Sequence, residues 1–268
     1  NNQLPRLAPA GDSGQFVMVW QSTDPFNFTS GRDNDTAVSW YNATTEWSPP
    51  GVIHPVLNSD TGSDTQPAVI YHLADRASSL IPYVTVAWST TTDVTGASGA
   101  DADILYAQSY NTNGTWSPFS IGFLHAEDAE GDSAESNDRS LAFTDSEGVL
   151  TAAWVRPKLT GDRLMVSRSF DGGAEWVQPV EQNPDSSGMM WDPFLLSTSQ
   201  GTLLFSTSAS GPRGGIDKDI VLGRTPSGSP AYFCNLKGGS NATRTGAGIS
   251  ELGPIWLRDA VYTNGKNE

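Results

Sequence analysis

The chain has a single cysteine, Cys234, among 268 residues. A lone thiol cannot close an internal disulfide, so Cys234 reads as a small buried hydrophobe in the run AYFCNL, with an intermolecular bridge as the functional alternative. Charge is also scarce and one-sided. Only 17% of residues are charged, 30 acidic against 15 basic, for a formal net charge of −15. That balance excludes nucleic acid and anionic membrane surfaces as partners. No run of about 18 apolar residues occurs, which excludes a membrane-spanning helix. No stretch keeps a 3.6-residue apolar period between capping signals, so very little helix is expected. The three histidines, His54, His72 and His125, lie too far apart in sequence for metal-ligand spacing. No glycine-rich phosphate loop follows a strand and opens a helix.

What the sequence does have is turn chemistry and aromatic residues: 27 Gly, 17 Pro and 9 Trp. The stretch SRSFDGGAEW, residues 167–176, concentrates both. Asp-Gly between β-prone runs marks a hairpin, because glycine accepts positive φ and Asp bonds backbone N–H groups two residues on. Trp176 then packs beneath the turn it follows.

Worn copies of this corner recur roughly 55–70 residues apart. Ser109, Asn111 and Trp116 repeat the seven-residue Ser-to-Trp spacing; Ser39 to Trp47 has one residue more, and Thr225 to Tyr232 is again seven. Ahead of each corner lies an apolar run: FVMVWQST, VTVAWSTT, VLTAAWVR and TLLFSTSA. Ahead of that lies a shorter run, often opened by Pro: LPRLAPA, QPAVIYH, DRSLAFT, DPFLLST and finally GPIWLRD. Alternation and β-branched content make all of these strands. The expectation is an all-β fold, a β-propeller of four-stranded antiparallel blades stacked radially. The expected blades are 1–62, 63–132, 133–188 and 189–250, with a partial fifth at 251–268. Trp20, Trp88, Trp154 and Phe205 are expected at equivalent buried positions.

The corner Ser169-x-Asp171-x-Gly173-x-x-Trp176 resembles the Asp-box, or bacterial neuraminidase repeat, of sialidase-like propellers. The resemblance covers roughly residues 4–260 as a repeat pattern. It implies a six-bladed ring, with the corner between the third and fourth strands of a blade and away from the active centre. On that basis the chain is expected to be a segment of a longer polypeptide. In sialidases three arginines surround the substrate carboxylate, beside a Tyr nucleophile, its Glu partner and an Asp acid/base. The Phe/Tyr-Arg-Ile-Pro stretch that carries the first arginine is absent. Aligning the inner strands by their Pro or Asp puts Arg6 and Arg139 at corresponding places, as carboxylate-ligand candidates. Neutralisation of nearby acids is the competing reading of both. No catalytic residue is assigned.

Five sequons, at Asn27, Asn34, Asn42, Asn113 and Asn241, point to a secreted or cell-surface glycoprotein. No cofactor is required by the sequence. Calcium is the one metal considered, with Asp128, Glu130 and Asp132 in the densest acidic run as weak candidates; a solvated acidic loop is the alternative. The functional expectation is a non-catalytic extracellular interaction or structural module. A sialidase-like glycoside hydrolase and a lectin-like carbohydrate binder are the alternatives. The expected partner is a protein or glycan, including further copies or segments of the same protein.

Overall fold

The computed structural model describes residues 2–11, 14–24, 33–53, 62–76, 79–93, 101–124, 137–146, 148–159, 161–182, 190–198, 201–208, 219–225 and 232–235. Among them are eighteen strands and no helix. The first sheet holds β1 (Asn2–Pro9), β2 (Phe16–Ser22) and β3 (Asp35–Asn42), with short β4 (Glu46–Trp47) and β5 (Gly51–Val52) both pairing β3. The second holds β6 (Asp64–Arg76), β7 (Ser79–Thr90) and β8 (Asp103–Thr112), with β9 (Thr115–Trp116) and β10 (Ser120–Phe123) both pairing β8. The third is β11 (Arg139–Ser146), β12 (Val149–Arg156), β13 (Arg163–Ser169) and β14 (Val180–Glu181). The fourth is β15 (Met190–Thr198), β16 (Gly201–Ser208), β17 (Asp219–Thr225) and β18 (Tyr232–Asn235). Every pairing is antiparallel and the three long strands of each sheet follow one another as a meander.

The sheets stack in sequence around their first strands: β1 packs on β6, β6 on β11 and β11 on β15. Among the described strands no comparable packing joins β15 to β1. The core lies in the seams between sheets. Val19, Val38, Val86 and Trp88 fill the first seam, Ala87, Ile104, Trp154 and Met165 the second, and Val155, Leu164, Leu195 and Leu204 the third. Neighbours in one strand serve opposite seams, as Ala87 and Trp88 do, because side chains alternate across a strand. A strand buried on both faces is largely apolar, as VTVAW and LTAAW are; their one polar residue each, Thr85 and Thr151, is buried too, and the Thr85 hydroxyl is hydrogen-bonded. On the outer faces of the stack, Leu7 is 59% exposed on the first sheet and Phe194 is 59% exposed on the fourth.

The register of each first strand slips once, between Gln3 and Arg6, Thr65 and Ala68, Arg139 and Ala142, and Trp191 and Phe194. At three of these bulges a non-glycine residue has positive φ: Leu4 at 52°, Gln66 at 55° and Ser140 at 56°. Pro5, Pro67 and Pro193 sit within the slips. A proline has no N–H for the ladder, so a bulge tolerates it where a regular pair would not.

These registers correct one alignment. Trp20, Trp88 and Trp154 are equivalent and buried, each one residue beyond the partner of Arg6, Ala68 or Ala142. The fourth member of that set is Ser206, 2% exposed, because Phe205 itself pairs with Phe194. The aromatic residue in TLLFSTSA sits one place short of the position its counterparts hold.

Candidate functional site

The corner at the end of β13 is a closed hydrogen-bond device. Ser169 Oγ donates to Asp171 Oδ1 at 2.7 Å and accepts from the Gly173 N–H at 2.6 Å. Asp171 Oδ1 also accepts the Glu175 N–H at 3.0 Å. Gly172 and Gly173 have φ of 75° and 91°, conformations that strain an L side chain. Burial raises the Asp171 carboxyl, but the bonds from Glu175, Ser169 and Ala174 outweigh it and hold the group below the ordinary carboxylate range. Trp176 is only partly buried, between Tyr106 of the second sheet (5.9 Å between ring centroids) and Phe143 of its own (5.5 Å). It wedges a seam rather than filling a space beneath its own turn. Burial, and then the Asp171 charge, push the Tyr106 phenol up.

Ser109 occupies the same register as Ser169, since they pair with Val84 and Leu150. Its bonding differs. Ser109 Oγ donates to the Ser117 carbonyl at 2.6 Å, and Asn111 Oδ1 accepts the Gly114 N–H at 2.8 Å. Trp116 reaches back to the first sheet, stacking on Trp40 at 4.9 Å and 29°.

The seam under the Ser169 corner contains a buried histidine that sequence reasoning passed over. His72, 2% exposed, shares a 2.9 Å hydrogen bond with Thr85 Oγ1 and stacks on Tyr83. Burial lowers its pKa to about 4.

Charged side chains gather at the end of the stack where the inner strands begin. Arg156 is buried and grips Asp138 with two bonds, Nε to Oδ1 at 2.9 Å and Nη2 to Oδ2 at 2.7 Å. Asp138 Oδ2 also accepts the Trp154 indole N–H at 2.6 Å. Arg163 pairs with Glu181, and Lys158 reaches the same carboxylate at 3.6 Å. Arg139 pairs with Asp162 at 2.9 Å. The alignment of Arg139 with Arg6 does not hold. Arg139 pairs with Val155, before the bulge, whereas the counterpart of Arg6 is Ala142, after it. Arg6 itself is exposed on β1. The signal that misled is the Asp in DRSLAFT, which sits ahead of the slip where Pro in the other strands sits within it.

Of the sequon asparagines, Asn113 is exposed at a hairpin tip with φ of 53°. Asn42 Oδ1 accepts the Thr44 N–H at 2.9 Å, and Asn34 Nδ2 donates to Ser63 Oγ at 3.0 Å. Asn27 and Asn241, the calcium candidates Asp128, Glu130 and Asp132, the Cys234 side chain, and His54 and His125 lie outside the described residues. Between the first two sheets runs a groove of about 450 Å³, lined by Val38, Trp40, Ile53, Trp116, Pro118 and Phe119 among others.

No protein-family model and no curated protein sequence matches the chain. Solved structures do. An ulvan lyase of polysaccharide lyase family PL25 superposes with a TM-score of 0.52 at 12% identity, over 87% of this chain and 55% of the lyase. The fold is a β-propeller. The chain thus spans about half the length of that propeller enzyme. A leech intramolecular trans-sialidase (TM-score 0.49, 10% identity, 89% of this chain and 51% of that one) is also similar. So is an α-L-arabinanase of Cellvibrio cellulosa (0.46, 11%, 85% and 76%). The four sheets are blades of this propeller, and β1, β6, β11 and β15 are their inner strands. Among the described residues, no helix is long and apolar enough to cross a membrane.

Proposed function

We propose that this propeller is an extracellular, sialidase-like module that recognises glycans without cleaving them, with the Ser169–Trp176 corner as its one well-kept Asp-box. The observation that carries the reading is the state of the inner-strand arginines. Two guanidinium groups grip one carboxylate only if they converge on it. Arg139 is instead committed to Asp162 and lies three residues away from the register position of Arg6. Its role is that of a local counter-ion. The glycan class is supported by the propeller fold, whose counterpart in the ulvan lyase acts on a polysaccharide. Fold alone does not transfer chemistry, so the support is for the class and not for a substrate. Sialidase-like hydrolysis is the second reading, favoured by the exposed Arg6 on an inner strand.

A fluorogenic sialoside assay and a glycan array distinguish the two. The expected outcome is binding on the array with no release of fluorophore. Turnover that disappears in Arg6→Ala would overturn the binding-only reading and establish the hydrolase.

A further inference from the structure

We propose that Asn42 is N-glycosylated and that the first N-acetylglucosamine residues of its glycan lie in the aromatic groove between the first two blades. The inference rests on the secretory route implied by the extracellular reading above.

The groove has the chemistry of a sugar cradle. Trp40 stacks with Trp116 at 4.9 Å and 29° and with Phe119 at 6.0 Å and 28°, so both partner rings run within 30° of parallel to Trp40 along the groove wall. An electron-rich ring face attracts the polarised C–H face of a pyranose as it does other positive edges. The apolar lining also suits an acetamido methyl group.

The position of the sequon identifies the occupant. Val38 and Trp40 line the groove from β3. Side chains two residues apart leave the same face of a strand, so Asn42 continues that row. A sugar joined to Asn42 therefore starts about 7 Å along the strand from the Trp40 ring, within reach of one or two pyranose units. The sequon Asn42-Ala43-Thr44 is complete. The Thr44 N–H holds Oδ1 at 2.9 Å, which orients the amide and leaves Nδ2 to carry the sugar. The transfer forms the Nδ2–C1 bond and breaks the C1–O bond to a lipid-diphosphate oligosaccharide donor; the amide proton leaves with the lipid diphosphate. Asn34 differs, because its Nδ2 is engaged with Ser63. Asn113 differs as well: it is exposed at a hairpin tip and its glycan projects into solvent.

The test is secretion of the full chain from a eukaryotic cell line, followed by site mapping with glycosidase cleavage in heavy-oxygen water. Asn42 and Asn113 are expected to be occupied. Trimming the glycans to a single N-acetylglucosamine is expected to leave the melting temperature unchanged. Asn42→Gln is expected to lower it by about 2–4 °C and to increase acrylamide quenching of tryptophan fluorescence, while Asn113→Gln moves neither. Occupancy at Asn113 with none at Asn42 overturns the inference and leaves the secretory reading standing. So does occupancy at both with identical behaviour of the two Gln variants. Absence of glycan at every site overturns the secretory reading and this inference with it.

Discussion

Gln108 of the second blade donates its side-chain amide to the Gly172 carbonyl of the third at 2.7 Å. The same nitrogen donates to Thr85 Oγ1 at 2.9 Å. One side chain thus joins the strand ladder of one blade to the corner of the next. The corner fits this socket closely: a Cβ on Gly172 would overlap Ala74 Cβ, and one on Gly173 would overlap the Gln108 amide.

Gly172→Ala should therefore cost more than a turn glycine usually does. Left-handed backbone costs alanine about 1–2 kcal/mol, and overpacking against Ala74 adds about 1–3 kcal/mol. Gly114, at φ of 85° with open space around it, provides the comparison. Gly114→Ala should lose only the backbone share. Urea unfolding of both variants measures the difference; equal losses would show that the seam does not constrain the corner.

Stability should fall as pH drops from 6.5 to 4 through His72. The folded pKa is about 4 against an ordinary 6.5, so in that window the unfolded chain binds the proton and the folded chain does not. Above 6.5 the group is neutral in both states and the stability is fully present. By pH 4 about 3 kcal/mol is lost to this one residue. Unfolding curves for the wild type and His72→Gln, taken across that range, should converge at low pH. Parallel curves would show that His72 takes no part.

The two arginine pairs should respond very differently to truncation. Arg156→Met leaves the Asp138 carboxylate buried with the Trp154 indole, and should destabilise by about 3–5 kcal/mol. Arg139→Met breaks a pair whose arginine side chain is 38% exposed, and should cost less than about 1 kcal/mol. Thermal unfolding of the two variants checks this. A large loss from Arg139→Met would mean that it holds more than Asp162.

Trp154→Ala and Trp176→Ala should rank in that order. Trp154 is fully buried and bonded to Asp138, so its removal should cost about 4–5 kcal/mol. Trp176 is partly exposed and touches Tyr106 and Phe143, so about 2–3 kcal/mol is expected. Chemical denaturation of both variants would reveal a reversed order.

The repeat was legible because it is local. Alternating apolar runs and a Ser-Asp-Gly-Trp corner are written in consecutive residues, and the strands and turns follow them. The bulges were not legible, because one extra residue in a strand changes register without changing composition. Arg139 lies before the slip in its strand and Arg6 after the slip in its own, so the two are three register positions apart. The distant side-chain partners were hidden for another reason. Gln108 and Gly172 are 64 residues apart, Asp138 and Arg156 18, and nothing in either segment names the other. His72 read as an isolated histidine because its low pKa comes from burial between blades.

The seams have a direction. Trp116 of the second blade reaches back to Trp40 of the first, and Trp176 of the third reaches back to Tyr106 of the second. During synthesis from the N-terminus, each new blade arrives carrying its own wedge and meets a finished socket. Deleting blades from the two ends should accordingly have unequal effects. Loss of the first blade strands the Trp116 and Phe119 rings in water and leaves a sticky surface. Loss of the fourth uncovers Val155, Leu164 and Val166 beside Ala142 and Ala153, an aliphatic face with no aromatic ring in it. The two truncations should therefore differ in what they bare, stacked aromatic rings at one end and aliphatic side chains at the other.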